Sequence, residues 1–512
     1  MNMPIDPSQY KTPLFDAMIQ LAESKKISFH TPGHKSGKGI ATRFVKYVGP
    51  NIFSIDLTTL DEVDSLQKPV GVIKEAQELA AKAYGADRSF FLLNGTTVGN
   101  HAMIMTACNP GDGILAARNC HKSVLAGAIL AGARTQFIYP VMDAALMMSM
   151  NVTFDSVRQA VESAAPEIKV LVITSPNYYG ICADLERIIP FAHGRGMTVL
   201  VDEAHGPHLG FHPELPKSAL SCGADMVVQS THKIIGGMTQ ASMMHARAGR
   251  VDVMTLAGVL KVLQTTSPSY ILMASLDLAR MQMATEGEKL LSKALTLARW
   301  ARGEINGTEG FRCLEKKDVL LRGMGDLDET KLAINVSGLG MTGYQVSQAL
   351  NMEHDIQVEM ADPFHVLVIV SIGDRKEDVS RLVDALHKIA DGRPSAGGQP
   401  PASKKFDWEQ VKPPMGTPQG FPIADGPKPI DGPQPGDRSP REAFFAAHEL
   451  VLLDKCAGRL SSEIVTVYPP GIPMLVPGEV ITKDVVDYLS RVSAMGGTVD
   501  GLAEDGRIGV VR

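Results

Sequence analysis

Two side chains set 31 positions apart have the types and the surroundings to do chemistry together. Asp202 closes a short apolar run, Thr198 to Val201. Lys233 follows a second such run, Met226 to Gln229, after Ser230-Thr231-His232. Lysine prefers open solvent, so a lysine directly behind a buried strand and a pair of hydroxyls is unusual. Partial burial lowers its pKa and leaves a nucleophilic amine that can form a Schiff base. The Gly95-Thr96-Thr97 turn opens a helix and, with Ser230 and Thr231, offers hydroxyl and backbone N–H groups to an anion. An imine-forming lysine, a carboxylate and an anion cradle are together what pyridoxal phosphate requires. Alone, each feature has a plainer reading: a surface lysine, a helix N-cap, an ordinary helix start. Their order on successive strand ends favours the chemical one.

Two other patterns carry less. Asp202-Glu203-Ala204-His205 spells the box of one helicase class, but that chemistry also needs a G-x-x-x-x-G-K-[ST] phosphate cradle. The nearest string, Gly33-His-Lys-Ser-Gly37-Lys38-Gly39, has the wrong spacing and no hydroxyl residue at its end. His205, His208 and His212 have helical spacing, yet Gly206-Pro207 and Pro213 break any helix there, so no metal site is expected.

The elements that must position these residues are legible between about 70 and 240. Apolar runs of strand length (90–93, 113–117, 135–139, 170–174, 198–201, 226–229) alternate with helix-compatible stretches (98–108, 123–132, 185–193). Strands that are apolar nearly throughout, separated by helices, predict an α/β fold with a mostly parallel sheet covered on both faces. Ligands bind such sheets beyond the carboxyl ends of the strands, where Asp202 and Lys233 fall. Residues 281–305 read as a long helix, and 331–390 as a smaller α/β domain. Positions 393–440 hold 12 of the chain's 32 prolines and 7 glycines, a composition that packs no core and reads as a linker. The expected layout is an N-terminal arm (1–40), a large domain (41–300), a small domain (301–392), the linker, and a C-terminal α+β segment (441–512).

Composition bounds the function classes. The chain has 512 residues, 44% hydrophobic and 21% charged, with a net charge of −6 that gives no basic excess for nucleic acid or anionic lipid. Its six cysteines are scattered without a Cys-x-x-Cys pair, so neither a disulfide framework nor a zinc ribbon is expected. No apolar run of 18 residues and no N-terminal signal core is seen, and a cytoplasmic protein is expected.

Several longer strings carry a resemblance: Ser230-Thr-His-Lys233, VDEAHGPHLGFH (201–212), LNGTTVGNHAMI (93–104), ARNCHKS (117–123), HTPGHKSG (30–37) and TTSPSYILMASLD (265–277). Together they resemble the Orn/Lys/Arg decarboxylase family, over roughly 8–390 and again over 441–512. The resemblance implies a fold-type-I, aspartate-aminotransferase-like, pyridoxal-phosphate enzyme. It implies that Lys233 binds the cofactor aldehyde, that Asp202 pairs with the pyridine nitrogen, and that Ala204 and His121 cover the two ring faces. Gly95, Thr96, Thr97, Ser230 and His232 then match contacts at or near the phosphate, and His205 supports the site. Ser267 lies in a segment that reaches the cofactor of a neighbouring subunit, which implies at least a homodimer. Glu479 matches an acidic position near the substrate side chain.

The expected activity is decarboxylation of a basic L-amino acid for polyamine synthesis. Arginine, giving agmatine and CO₂, is favoured over lysine and ornithine because this compact form looks biosynthetic. Acidic residues would select the distal group, Asp56, Asp61, Asp64 and Glu479 being candidates. An aminotransferase would carry a carboxylate-gripping arginine between 331 and 390, where none stands out. A non-catalytic binding relative need keep neither Lys233 nor Asp202.

Overall fold

A computed structural model describes residues 5–24, 26–392, 438–468 and 471–512. The expected linker lies outside the described residues as far as position 437. In chain order the principal elements are α1 (Pro13–Glu23), α2 (Val72–Tyr84), β1 (Arg88–Leu92), α3 (Gly95–Ala107), β2 (Gly113–Ala117), α4 (Lys122–Ala131), β3 (Arg134–Ile138), β4 (Ile168–Thr174), α5 (Leu185–Gly194), β5 (Thr198–Asp202), β6 (Met226–Gln229), β7 (Ser242–Ala246), α6 (Val253–Leu263) and α7 (Tyr270–Asn306). There follow β8 (Arg312–Cys313), β9 (Lys331–Asn335), α8 (Gly343–His354), β10 (Met360–Ala361), β11 (His365–Ile369), α9 (Lys376–Asp391), β12 (His448–Leu452), β13 (Val465–Tyr468), β14 (Ile472–Leu475), α10 (Lys483–Ala494), β15 (Thr498–Asp500) and β16 (Arg507–Val511).

The described residues form two compact units, one drawn from positions up to 106 and 200–291, the other from 107–199 and from 292 onward. In the first, β5 pairs with β6 in parallel, opposing Asp202 to Val228. Strand β7 pairs antiparallel with both β6 and β1. One reversed strand between β1 and β6 leaves β1, β5 and β6 running the same way, so their carboxyl ends share an edge. Helix α3 lies close on β1 and β6. A Cβ on Gly99 would come within 2.6 Å of Val228 Cγ1 and 2.8 Å of Leu92 Cδ1. A core of Leu14, Met18, Ile73, Phe91, Met243 and Tyr270, among others, fills this unit.

In the second unit β4, β2 and β3 pair in parallel. A smaller antiparallel sheet, ordered β8-β9-β11-β10, shares a core with α8 and α9 through Val346, Leu350, Leu382 and Val383. The C-terminal segment pairs β12 with β16 and orders β14-β13-β15, with Val485, Leu489 and Val492 of α10 packed on them. These elements give the expected α/β class, with mostly parallel principal strands, a smaller α/β part and an α+β end.

The structure departs from the sequence reading in two places. Ser242–Ala246 (SMMHA) carries no β-branched residue and so gives no strand signal, yet all five residues are buried between two partner strands. Helix α7 starts at Tyr270 rather than 281. Its first turns read YILMASLDLAR, apolar around most of the circumference, and so lack an amphipathic stripe. Among the described residues no helix is long and apolar enough to cross a membrane.

One buried ion pair ties α7 to the chain's beginning. Arg280 and Asp277, both fully buried, are 2.6 Å apart. Arg280 also donates to the carbonyls of Gln9 and Lys11, and Asp277 accepts the Leu14 N–H at the start of α1. Arg280→Ala would leave the Asp277 charge buried and unpaired, at a cost of about 3–5 kcal/mol. A urea titration should show the midpoint falling accordingly, and an unchanged midpoint would refute this role.

Candidate active site

Asp202 is 2% exposed at the end of β5. Its Oδ2 accepts from Asn100 Nδ2 at 2.9 Å and its Oδ1 from the Ala204 N–H at 3.2 Å. Asn100 stands next to Gly99, so the close packing of α3 on the sheet delivers its amide to the strand edge. Burial raises the Asp202 pKa, opposed by the Asn100 hydrogen bond, the Lys233 charge and the Ala204 N–H. The carboxylate is therefore costly to ionise unless a positive group faces it.

Lys233 ends a short 3₁₀ turn, Thr231–Lys233, directly after β6. Its Nζ lies 2.9 Å from His205 Nε2. A lysine ammonium can only donate, so Nε2 is then the acceptor. His205 itself is buried and lies three residues after Asp202. The Ser230 N–H donates to the Ala204 carbonyl at 3.2 Å, tying the loop after β5 to the loop after β6.

The residues expected to form an anion cradle lie in the same unit. Gly95 has φ +64° with open space where a Cβ would stand, and its N–H donates to the Gln240 carbonyl. That turn starts α3, whose first N–H groups have no acceptor within the helix. Thr96 Oγ1 and Ser230 Oγ are 3.2 Å apart, and the buried Thr231 Oγ1 has no hydrogen-bond partner. His232 directs Nδ1 at the Ala241 carbonyl, 3.1 Å away. Convergent hydroxyls, an unpartnered buried Oγ1 and a helix start fit a phosphate. Lys233 and Asp202 on the same sheet edge fit the aldehyde and the ring nitrogen. Ser267 is exposed, its N–H donating to Thr265 Oγ1.

His121 and Glu479 belong to the second unit. His121 caps α4, with Nδ1 accepting the Ser123 N–H at 3.2 Å. Glu479, 4% exposed, accepts from Arg118 Nη2 at 3.0 Å and from the Val476 N–H at 2.9 Å. Arg118 is itself buried, directly after β2, and donates also to the Pro473 and Met474 carbonyls. Of the other acidic candidates, Asp64 accepts the Ser65, Val70 and Gly71 N–H groups and organises the approach to α2. Asp56 pairs with His34 at 3.0 Å, and Asp61 is exposed. Among the described residues no group of three or more His, Cys, Asp or Glu is placed to share a metal ion.

Sequence reasoning misses three polar residues here. Asn100 sits mid-helix with no motif of its own. Arg118 stands inside the ARNCHKS string, where a charge directly after an apolar strand is its one signal. Glu203 shows in the sequence only as part of the helicase-like box. It is fully buried, accepting from Gln229 Nε2 at 2.6 Å and from the Ala219 N–H at 2.7 Å. Burial raises its pKa to about 8, against those two hydrogen bonds.

Parallel strands ending in a buried carboxylate and a lysine, beside a helix start and hydroxyls, fit a fold-type-I architecture of the pyridoxal-phosphate class. The model of the Orn/Lys/Arg decarboxylase major domain matches residues 12–378, and that of the C-terminal domain residues 437–510. The chain belongs to this family. It is similar to the arginine decarboxylase of Bacillus anthracis, 39% identical over 494 residues that cover 96% of this chain and 95% of that protein. It is also similar to the arginine decarboxylase of Bacillus subtilis strain 168, 38% identical over 505 residues that cover 99% and 98%. Its fold matches that of the Francisella novicida lysine decarboxylase crystal structure, with a TM-score of 0.81, 24% identity, and coverage of 99% of this chain and 82% of that one.

Glu203 gives this region a pH signature. Its folded-state pKa of about 8 exceeds the ordinary value of 4.5. Above pH 4.5 the folded chain therefore keeps a proton that the unfolded chain has released, and stability falls as pH rises towards about 8. Glu203→Gln removes the titration, so the decline in thermal midpoint between about pH 5 and pH 8 should flatten. A parallel decline in wild type and variant would assign it to other groups.

Proposed function

We propose that the chain decarboxylates L-arginine to agmatine and CO₂, using pyridoxal 5′-phosphate. The observation that carries this reading is Lys233 and Asp202 at adjoining parallel strand ends, beside hydroxyls suited to a phosphate. The near-full-length similarity to arginine decarboxylases supports arginine over lysine. When bound, the cofactor supplies a conjugated sink for the two electrons left behind as CO₂ departs.

The chain's own residues would do the rest. Lys233 offers the amine that holds the aldehyde carbon, and His205 Nε2 is placed to take a proton from Nζ, leaving the amine nucleophilic. Asp202, anchored by Asn100 and the Ala204 N–H, would present its charge to the ring nitrogen and would keep that nitrogen protonated. Gly95, Thr96, Thr97, Ser230 and His232 would hold the phosphate with the start of α3. Ala204 would pack on one ring face. For His121, Ser267 and Glu479 the proposed roles are those the family resemblance implies: ring stacking, reach into a second copy's site, and contact with the substrate's distal group. The active form would then be a homo-oligomer, at work in cytoplasmic polyamine biosynthesis. The proposed domain limits are 1–40, 41–300, 301–392, 393–440 and 441–512.

Purified chain supplied with the cofactor should be yellow and release CO₂ and agmatine from arginine, faster than the amines from lysine or ornithine. Lys233→Ala should abolish the visible band. Asp202→Ala should retain some cofactor yet lose about 100-fold or more in turnover, as one preorganised electrostatic partner is removed. Release of CO₂ from none of the three amino acids would defeat the reading, and faster turnover of lysine or ornithine would reassign the substrate.

A further inference from the structure

A polar chain lies buried in the first unit, immediately behind Asp202 and Lys233. Ser89 on β1 is 2.7 Å from His245 Nδ1 on β7. His245 Nε2 is 3.2 Å from Gln229 Oε1 on β6, and Gln229 Nε2 donates to Glu203 Oε2 at 2.6 Å. The Ala219 N–H closes the chain on Glu203 Oε1. All four side chains are buried, with Ser89 the most accessible at 4%. The two amide atoms fix the direction: Gln229 can donate only through Nε2 and accept only through Oε1, so His245 donates through Nε2 and Ser89 donates to Nδ1. Every hydrogen bond therefore points towards Glu203.

The position of this chain matters more than its length. Glu203 directly follows Asp202, and Gln229 is the last residue of β6, four before Lys233. The two adjacent carboxyls have different partners, Asn100 and the Ala204 N–H for Asp202, Gln229 and the Ala219 N–H for Glu203. The Glu203 N–H also donates to the Val228 carbonyl at 3.0 Å. The two loops are thus pinned to one another where the two reactive side chains leave them.

We propose that Glu203 and Gln229 are positioning residues, a buried strap that sets the spacing between the Asp202 carboxylate and the Lys233 amine. A cofactor that must meet both groups at once is sensitive to that spacing, because supporting residues hold a site to within fractions of an ångström. This inference rests on the function proposed above. Glu203→Gln keeps the shape and can restore the strap by reversing its polarity. The introduced amide would donate to Gln229 Oε1, Gln229 to His245 Nε2, and His245 to Ser89. Glu203→Ala and Gln229→Ala cannot.

The test measures the affinity of the apo chain for pyridoxal phosphate, the kcat and KM for arginine, and the thermal midpoint. Leu256→Ala, a buried cavity variant in α6, an element that contributes no residue to the strap, serves as the control for lost stability. Glu203→Ala and Gln229→Ala should each bind the cofactor about 10-fold or more weakly and lose kcat with KM little changed. The double variant should lose no more than the worse single one, because the two act as a unit. Glu203→Gln should recover cofactor affinity, and Leu256→Ala should keep it despite a lowered midpoint. Wild-type affinity in Gln229→Ala, or an equal loss in Leu256→Ala, would overturn the strap while leaving the proposed function standing. Should Glu203→Ala not fold, Gln229→Ala and Glu203→Gln decide the matter. A wild-type chain that binds no cofactor would defeat the function and the strap together.

Discussion

The parallel pairing of β5 with β6 is the constraint on which the site depends. It opposes Asp202 to Val228, so the carboxylate stands level with the last residues of the strand that leads to Lys233. A shift of one residue would turn Asp202 to the other face of the sheet and put Glu203 in its place. The register is held from several directions, by the Glu203 N–H on the Val228 carbonyl and by the Ser230 N–H on the Ala204 carbonyl. A side-chain hydrogen bond from Gln229, the last residue of β6, to Glu203 locks the same two chain segments. The proposed chemistry thus rests on a register that ordinary sheet hydrogen bonding enforces.

Helix α3 adds the third point of the site. Its start at Gly95 presents N–H groups and the Thr96 hydroxyl, and its second turn brings Asn100 to Asp202. Both depend on how closely the helix approaches the sheet, which Gly99 permits by having no Cβ to meet Val228 and Leu92. A larger residue there would lift the helix, and the cradle and the aspartate's anchor would move together. The reversed strand β7 is no obstacle, since two antiparallel pairings restore the direction of β1 and keep its carboxyl end at the same edge.

Much of this is legible in the sequence because it follows from local signals. The strands at 113–117 and 226–229 are apolar runs with sharp ends, and their limits agree with the observed ones. Asp202 and Lys233 stand out as polar residues at the ends of such runs. What escapes notice depends on partners distant in sequence. Ser242–Ala246 is a strand because β6 and β1 flank it, not because its residues prefer that conformation. Asn100 and Gln229 matter through hydrogen bonds to residues distant in sequence, Asn100 to Asp202 about 100 positions away and Gln229 to Glu203 and His245, 26 and 16 away. Arg118 finds Glu479 across 361 positions. No periodicity or short motif encodes such meetings, which only the packed chain brings about.

Three buried carboxyl groups show how the surroundings assign roles to like side chains. Burial raises the pKa of Asp202, Glu203 and Glu479 alike. Glu479 is met by the Arg118 guanidinium, a partner that does not give up its charge, so that pair fixes the chain after β2 to the C-terminal segment. Glu203 has neutral hydrogen-bond donors, Gln229 and Ala219, and at about 8 its pKa makes it a neutral acid near neutral pH, suited to holding structure. Asp202 lies within the field of Lys233, an amine whose charge would change if, as proposed, it bonded to a carbonyl carbon. Its compensation is therefore exchangeable, and a cationic ring nitrogen could replace the ammonium as its partner. Of the three acids, Asp202 alone is both costly to leave unpaired and free to change partners, and that combination is what an electron sink at this edge would use.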